Sequence, residues 1–275
     1  MATSKTLDKT DKNVLKKRGL GTNLHSLLFV KMKIAAILTT LATSVLSKDL
    51  FSLVKEDKTL VNQYSDCYDY TAQGGSRLHV IDYIADLAPY SFDNRISSCC
   101  FTGIWLMYAD RNYNVANIGA ANWWQYGNNY CTNVPAAFDN VASSIRYVGV
   151  PDNAGTSTIN LYNNEYFIGG EEYAYQDTYQ LNYDNQAKSI IITGCTAWTV
   201  YDGRNYSGKC KCLWPSDTNN CYPGFYTTEA SLGIMARSIS SARKGCYCSS
   251  SAVPDNQGMK LENGGASGYF APRNV

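Results

Sequence analysis

Histidine is almost missing from this chain: His25 and His79 are the only two. His25 lies in a segment expected to be removed, so His79 alone remains, and a zinc site with several histidines is excluded. One histidine leaves a Ser-His-Asp triad formally open, but no nucleophile motif and no cofactor loop accompanies it. The chain therefore reads as a non-enzyme, and His79 as a surface or half-buried strand residue. Charge is also scarce, at 17% of residues with a net charge of +1. That is no basic footprint, so nucleic acid is not expected as a partner. The uncharged apolar run Ile34 to Leu46 has 13 residues, short of the roughly 20 a membrane helix needs.

That run has its own pattern. Lys31, Met32 and Lys33 precede it, and small residues and then Lys48 follow. This is the layout of a secretory signal peptide, with Met32 as the natural start and cleavage after Ser44 or Ser47. Residues 1–47 then form a leader and signal peptide. The alternative reading of the run is a buried core helix. Residues 48–60 read as a pro-segment or linker, or as an edge strand.

The abundant residues point the same way. There are 22 tyrosines, 21 glycines and 10 cysteines. Tyrosine and glycine favour short strands and turns, and the cysteines indicate an oxidising, extracellular compartment. Four cysteines (67, 99, 100, 131) precede residue 150 and six (195, 210, 212, 221, 246, 248) follow it. Both counts are even, which leaves the connectivity open. Adjacent Cys99 and Cys100 point to opposite faces of a strand and should not pair with each other. Cys210-Lys-Cys212 and Cys246-Tyr-Cys248 read as disulfide partners rather than zinc ligands.

The chain repeats itself. Trp105, Tyr108, Arg111, Asn112 and Tyr113 match Trp198, Tyr201, Arg204, Asn205 and Tyr206 at identical spacing. Weaker copies open at Val61 (with Tyr64) and Ile159 (with Tyr162). Each copy leads to a polar turn with a serine and a hydrophobic run, containing Ser98, Ser144, Ser189 and Ser238. The chain thus comprises four strand-rich units that must pack in pairs to bury their apolar faces. The first pair spans 61–150, a Pro/Gly/Asn linker 151–156, the second pair 157–249, and a Ser/Gly/Asn-rich tail 250–275 reads as mobile.

Two further stretches match one another: Asp93-Asn94-Arg95-Ile96-Ser97-Ser98 and Asp139-Asn140-Val141-Ala142-Ser143-Ser144. Either one alone would be an ordinary polar turn opening a strand. Acid, amide and hydroxyl oxygens side by side also suit a hard cation such as calcium, and their recurrence at the same place in paired units favours that reading.

The pattern resembles the βγ-crystallin family. The hairpin Ile159 to Gly169, and Trp198, Tyr201 and Tyr206 with Gly208, look like the family's first hairpin, its glycine seven residues after the tyrosine. Val115 occupies that glycine's place in the second unit, and Gly74-Gly75 come late in the first. The resemblance covers roughly residues 60–248. It implies an all-β fold of two Greek-key β-sandwich domains in tandem. It also implies a calcium signature in the two stretches above, with two calcium ions shared between paired loops. Ser97 and Ser143 would contribute hydroxyls, and Asp93, Asn94, Asp139 and Asn140 side-chain or carbonyl oxygens. Arg95 and Val141 would contribute backbone carbonyls, and Asp66 and Asp110, each two residues after the opening tyrosine, hairpin ligands. In the second domain the counterparts are Asp184 to Ser189 and Gly233 to Ser238. Lys188 and Arg237 stand at the hydroxyl positions, so both sites there are expected to be lost.

Calcium is thus the expected cofactor of a secreted protein. A glycan, membrane or protein partner is the alternative role, and an exposed Trp123-Trp124 pair would mark it; otherwise that pair packs in a core or loop. Glu171-Glu172 reads as a solvated face, and Asn205-Tyr206-Ser207 as a glycosylation sequon in a turn.

Overall fold

The computed structural model describes residues 62–274. The leader, signal peptide, Met32 start and 48–60 segment lie outside the described residues. The first domain is built from β1 (Tyr64–Tyr68), β2 (Arg77–Val80), β3 (Ser98–Tyr108), β4 (Asn122–Asn133) and β5 (Ser144–Tyr147). The long β3 changes partners half-way. Its first half pairs with β1 and its second half with β5, while β4 runs beside both with a register shift between Phe101 and Gly103. The second domain has two four-stranded sheets. One has the order β11-β8-β6-β7, from Gly224–Tyr226, Ser189–Ile192, Ile159–Tyr162 and Glu171–Ala174. The other has the order β12-β9-β10-β13, from Ser241–Lys244, Trp198–Gly203, Ser207–Leu213 and Ser251–Ala252. Strand β11 belongs to the fourth unit yet pairs in the third unit's sheet, so the units exchange strands as Greek keys do.

Side-chain alternation along β3 serves two cores at once. Trp105 and Met107 point into the first domain's core with Trp123, Phe138 and Ile145. Ile104, Leu106 and Tyr108 point the other way. There they meet Trp124, Val148, Tyr162, Phe167, Ile191 and Phe225 in a cluster shared by both domains. The second domain's own core centres on Ile159, Ile190, Trp198, Tyr226 and Leu232.

The shared cluster encloses a charge. Arg146, on β5, is 1% exposed. Its guanidinium donates to Tyr108 Oη (2.9 Å), to the Gly169 carbonyl (2.8 Å) and to the Phe167 carbonyl (2.7 Å). It also lies 4.6–5.0 Å from the ring centroids of Tyr108, Tyr113 and Tyr162. Glu171 sits 4.0 Å away and accepts from Tyr83 Oη (2.5 Å) and Tyr162 Oη (2.6 Å). Burial opposes the charge on Arg146, but Tyr108, Glu171 and the neighbouring phenols outweigh it and hold its pKa above the usual value. Glu171 is therefore no solvated residue: its side chain is 4% exposed because it neutralises a cation that crosses between domains.

The tail also departs from expectation. Residues 251–252 form β13, parallel to β10, and Gly265–Phe270 form β14. Strand β14 runs antiparallel to β4 from Gly265 opposite Gly127 to Phe270 opposite Asn122. The chain thus returns from the second domain to close an edge of the first. Its low apolar content misled, because an edge strand is held mainly by backbone hydrogen bonds. Small residues are needed there: a side chain at Gly268 would begin 2.3 Å from the Trp124 indole nitrogen. Phe270 packs on Tyr166 and Phe167, which pins the end of the strap.

Disulfides join Cys100 to Cys131, Cys195 to Cys221, Cys210 to Cys248 and Cys212 to Cys246. Each bond stays within one domain, and both Cys-x-Cys pairs are engaged with each other. Cys67 and Cys99 remain as buried thiols facing each other across β1 and β3.

Arg146→Ala should lower stability by about 3–5 kcal/mol, since it leaves Glu171 and two carbonyls buried without their cation; denaturant unfolding reads this directly. A loss below about 1 kcal/mol would show that the domains do not depend on that charge. Alkaline titration gives an independent check. Burial raises Tyr126 and Tyr147 to about 12 from an ordinary 10.0. The unfolded chain therefore releases these protons first. Their contribution is complete below pH 10.0 and is lost as pH rises toward about 12. Unfolding midpoints that stay flat across that window would contradict it.

Candidate cation site

The site grows from one local device used four times. In each unit a fully buried serine ties a folded hairpin. Ser98 Oγ donates to the Tyr70 carbonyl (2.7 Å) and accepts from Gln73 N–H (3.0 Å). Ser144 does the same with Asp110 and Tyr113 (2.7 and 3.1 Å), and Ser189 with Asn164 and Phe167 (2.6 and 3.0 Å). Ser241 repeats it with Gly203 and Tyr206 (2.6 and 3.1 Å). The residue before each serine donates its N–H to a tyrosine carbonyl. The pairs are Ser97 to Tyr68, Ser143 to Tyr108, Lys188 to Tyr162 and Ser240 to Tyr201, at 2.8, 2.8, 2.9 and 2.8 Å.

These contacts align the four units and correct the sequence reading twice. The first unit opens on Tyr68, not Tyr64. Gly75 then falls seven residues on, where Gly169 and Gly208 stand, and all three have positive φ (79°, 84°, 82°). The residue two after the opening tyrosine is consequently Tyr70. Asp66 lies back in β1, held by His79 (2.7 Å) and Arg77 (3.8 Å), and takes no part in the site. His79 itself is half-exposed on β2. In the fourth unit the tying serine is Ser241, not Ser238. The slip of three arises because a helical turn, α1 (Glu229–Leu232), and the turn Gly233–Met235 occupy the loop before it. Arg237 therefore stands at the second, amide position, and Ser240 at the hydroxyl position.

Within each domain the two loops hold one another. Asn94 N–H donates to the Ala142 carbonyl (2.9 Å), and Asn140 N–H to the Ile96 carbonyl (3.1 Å). Asn185 and Arg237 repeat this with Ile239 and Ala187. Asn94, Asn140, Asn185 and Arg237 all have positive φ, between 53° and 61°. Asparagine tolerates that conformation, which accounts for the amide in the motif.

The exchange brings the predicted ligands together. A depression of about 540 Å³ is lined by Asp69, Tyr70, Thr71, Arg95, Ser97, Asp139 and Asn140. It combines one hairpin, the first unit's loop and the second unit's acid and amide. Ser97 Oγ lies 3.3 Å from Asn140 Oδ1. Asp93, Asn94, Val141 and Ser143 belong to the reciprocal half, where Arg111 is 3.6 Å from Asp93. Asp110 offers its carbonyl to Ser144, and its carboxylate is engaged by Asn117 (3.0 Å).

Two atoms stand out. Asp93 Oδ1 and Asp139 Oδ1 are both buried with no hydrogen-bond partner. They are the first residues of the two signatures. An unpaired buried carboxylate oxygen is destabilising by roughly 1–3 kcal/mol or more, unless a cation meets it. Ser97 and Ser143 are 4% and 6% exposed, so their hydroxyls offer oxygen in a largely dehydrated setting. Among the described residues no three His, Cys, Asp or Glu side chains gather as a metal cluster. The donors are instead carboxylate, amide, hydroxyl and carbonyl oxygens, a hard set that fits calcium and not a soft transition metal.

Residue Asp69, which the sequence reading missed, also faces the depression. Burial acts against its charge, but hydrogen bonds from Ser76 and the Arg95 guanidinium 2.5 Å away keep its carboxyl below the usual range. Only the corrected hairpin alignment could have found it.

Comparison with solved structures bears on the fold. Geodin, a βγ-crystallin from Geodia cydonium, matches with a TM-score of 0.51 and 19% identity, over 67% of this chain and 99% of its own. This chain has the βγ-crystallin fold. An archaeal βγ-crystallin matches at 28% identity over 32% of this chain and 98% of its own, with a TM-score of 0.28. Protein S, solved complexed with calcium, matches at 17% over 66% and 99%, with a TM-score of 0.23. No family model and no curated protein matches the sequence.

The second domain keeps the βγ-crystallin loop exchange with altered chemistry. Lys188 does replace the hydroxyl of one half. In the other half Ser240 Oγ donates to Asp184 Oδ1 (2.5 Å), and Arg204 contacts Asp184 Oδ2 (2.8 Å). That half retains its oxygen donors, although both oxygens of Asp184 are already engaged. Trp123 and Trp124 are 0% and 9% exposed and belong to the cores, so they offer no aromatic surface to a glycan or membrane.

The tying serines should matter to folding independently of any ion. Ser144→Ala removes an acceptor from Tyr113 N–H and a donor to Asp110, and is expected to cost about 1–3 kcal/mol. Ser238→Ala, at an outlying turn, should change stability by less than about 0.5 kcal/mol. Comparable losses in thermal unfolding would sink the corrected alignment.

Proposed function

We propose that this protein is a secreted, non-enzymatic βγ-crystallin-type protein that binds two calcium ions in its first domain. Calcium holds the loops and hairpins together and raises the stability of the fold. The observation that carries the reading is the pair of buried, unpartnered oxygens, Asp93 Oδ1 and Asp139 Oδ1, at the heads of two intact signatures. Ser97, Ser143, Asn94, Asn140 and the carbonyls of Arg95 and Val141 are the accompanying donors. Tyr70 or Thr71 replaces Asp66 as the hairpin contribution. With few carboxylates per ion, affinity should fall between about 1 µM and 1 mM. The Asp184–Ser240 half of the second domain is a weaker third position, because binding there must first displace Arg204. A role in binding a glycan, membrane or protein target gains no support from the buried tryptophan pair.

Isothermal titration of the mature chain should show about two tighter equivalents of calcium, with a melting temperature that climbs with calcium concentration. Ser97→Arg combined with Ser143→Arg should remove both effects. Asp139→Asn separates a ligand from a structural residue. Without calcium it should melt at the wild-type temperature or above, since a buried carboxylate oxygen without a hydrogen-bond partner loses its charge; with calcium its gain should shrink. No heat and no melting shift in the wild type would overturn the proposal. Secretion has its own measurement: N-terminal sequencing of the exported chain should begin directly after Ser44 or Ser47.

A further inference from the structure

The second domain has a cavity where the first has its cation depression. It measures about 520 Å³, within the usual range for small-molecule sites. Its lining includes Glu165, Tyr166, Lys188, Glu229, Arg237 and Arg273. The correspondence is positional: Asn164 to Tyr166 is the hairpin equivalent to Tyr70 to Ala72. Lys188 replaces Ser97 and Arg237 replaces Asn140. The shape of the ion site has survived while its charge has changed sign.

The strap adds a third cation. Arg273 follows β14, and its backbone N–H donates to the Gly119 carbonyl (2.7 Å). Its guanidinium donates to the Ala120 carbonyl (3.0 Å) and the Ala271 carbonyl (2.9 Å), and lies 3.9 Å from the Tyr166 ring centroid. Among the described residues no carboxylate lies within ion-pair distance of it; burial lowers its pKa, with Tyr166 and Glu165 acting the other way. Lys188 likewise has no carboxylate in ion-pair contact among the described residues. Of the two acids in the cavity, Glu229 is ion-paired with Arg237 and Glu165 is held by a backbone N–H. Glu229 accepts from Arg237 Nε (2.8 Å) and Nη2 (2.5 Å), while Glu165 accepts from Glu229 N–H (2.9 Å). Three cations, one of them partly dehydrated, therefore face the cavity against two carboxylates, and among the described residues neither Lys188 nor Arg273 has a carboxylate within ion-pair distance.

We propose that this cavity binds a small ligand through a phosphate or sulfate group, with Lys188 and Arg273 as its charged contacts. Guanidinium and ammonium groups recognise tetrahedral oxyanions through short charge-assisted hydrogen bonds. Tyr166 and Ile118 supply an apolar wall for the rest of the ligand. Because Arg273 is delivered by the returning strap, the ligand would link the C-terminal segment to the second domain. The proposal is independent of calcium binding in the first domain.

The test titrates the mature chain, kept in chelator so that calcium plays no part, with inorganic phosphate, sulfate and acetate in separate calorimetric runs. One equivalent of phosphate or sulfate should bind saturably, with acetate weaker. Lys188→Met and Arg273→Gln should each weaken that binding by about tenfold or more, with calcium titrations unchanged from wild type. Arg77→Gln, a cation outside the cavity, should bind as wild type. No saturable anion binding, unchanged affinity in either cavity variant, or equal weakening in Arg77→Gln would each overturn the assignment.

Discussion

A serine hydroxyl tying a folded hairpin is the contact on which this molecule depends. It closes a hairpin that carries left-handed residues such as Ala72, Tyr113, Tyr166 and Tyr206, which no isolated hairpin would hold. Once closed, the hairpin sets its tyrosine carbonyl to receive the N–H of the residue before the serine. That preceding residue is then fixed at the loop crossing, beside the depression. The fold and the site thus share one hydrogen-bonded unit. The unit persists where the hydroxyl before it is replaced, as Ser189 beside Lys188 shows.

The same scaffold carries charge in three ways. In the first domain, Asp93 and Asp139 each keep one buried oxygen without a hydrogen-bond partner, while Arg111 lies near the other oxygen of Asp93 and Asn140 donates to the other oxygen of Asp139. In the second, Lys188 and Arg237 stand at the equivalent depression, and Arg237 is paired with Glu229. Between the domains, Arg146 and Glu171 are both buried, and the surrounding phenols and carbonyls satisfy them. Only the last arrangement is closed on itself. Hydrogen bonding marks the difference: each guanidinium nitrogen of Arg146 donates a hydrogen bond, whereas Asp93 and Asp139 each keep a buried oxygen with no partner. The strap couples these regions, since it closes the first domain's edge and ends against the second domain's cavity.

Much of this was legible in the residues. Alternating aromatic strands, the late serines Ser98, Ser144 and Ser189, and two acid–amide–hydroxyl stretches were enough for the fold and for the two loops that face each other in the first domain. Misreadings came where local pattern was ambiguous. Tyr64 and Tyr68 both look like an opening tyrosine, and the Ser97-to-Tyr68 and Ser98-to-Tyr70 hydrogen bonds separate them. Ser238 and Ser241 are similarly alike, and the intervening helical turn decides between them. The tail looked mobile because its composition is polar, yet strand pairing needs little apolar surface when an open edge is waiting.

By itself, then, the sequence determined the two matching acid–amide–hydroxyl loops, because residue type and spacing within one loop are local properties. It also determined the four-fold repeat, since each unit needs the same hairpin and the same serine. Only the tertiary structure decided which loop faces which, because the ligands of each half come from segments more than 40 residues apart, as between Ser97 and Asn140. It alone revealed that Glu171 is buried against Arg146 and that Arg273 reaches the cavity beside Lys188. Both depend on how two domains and a returning strand pack, and packing at that distance leaves no local pattern to read.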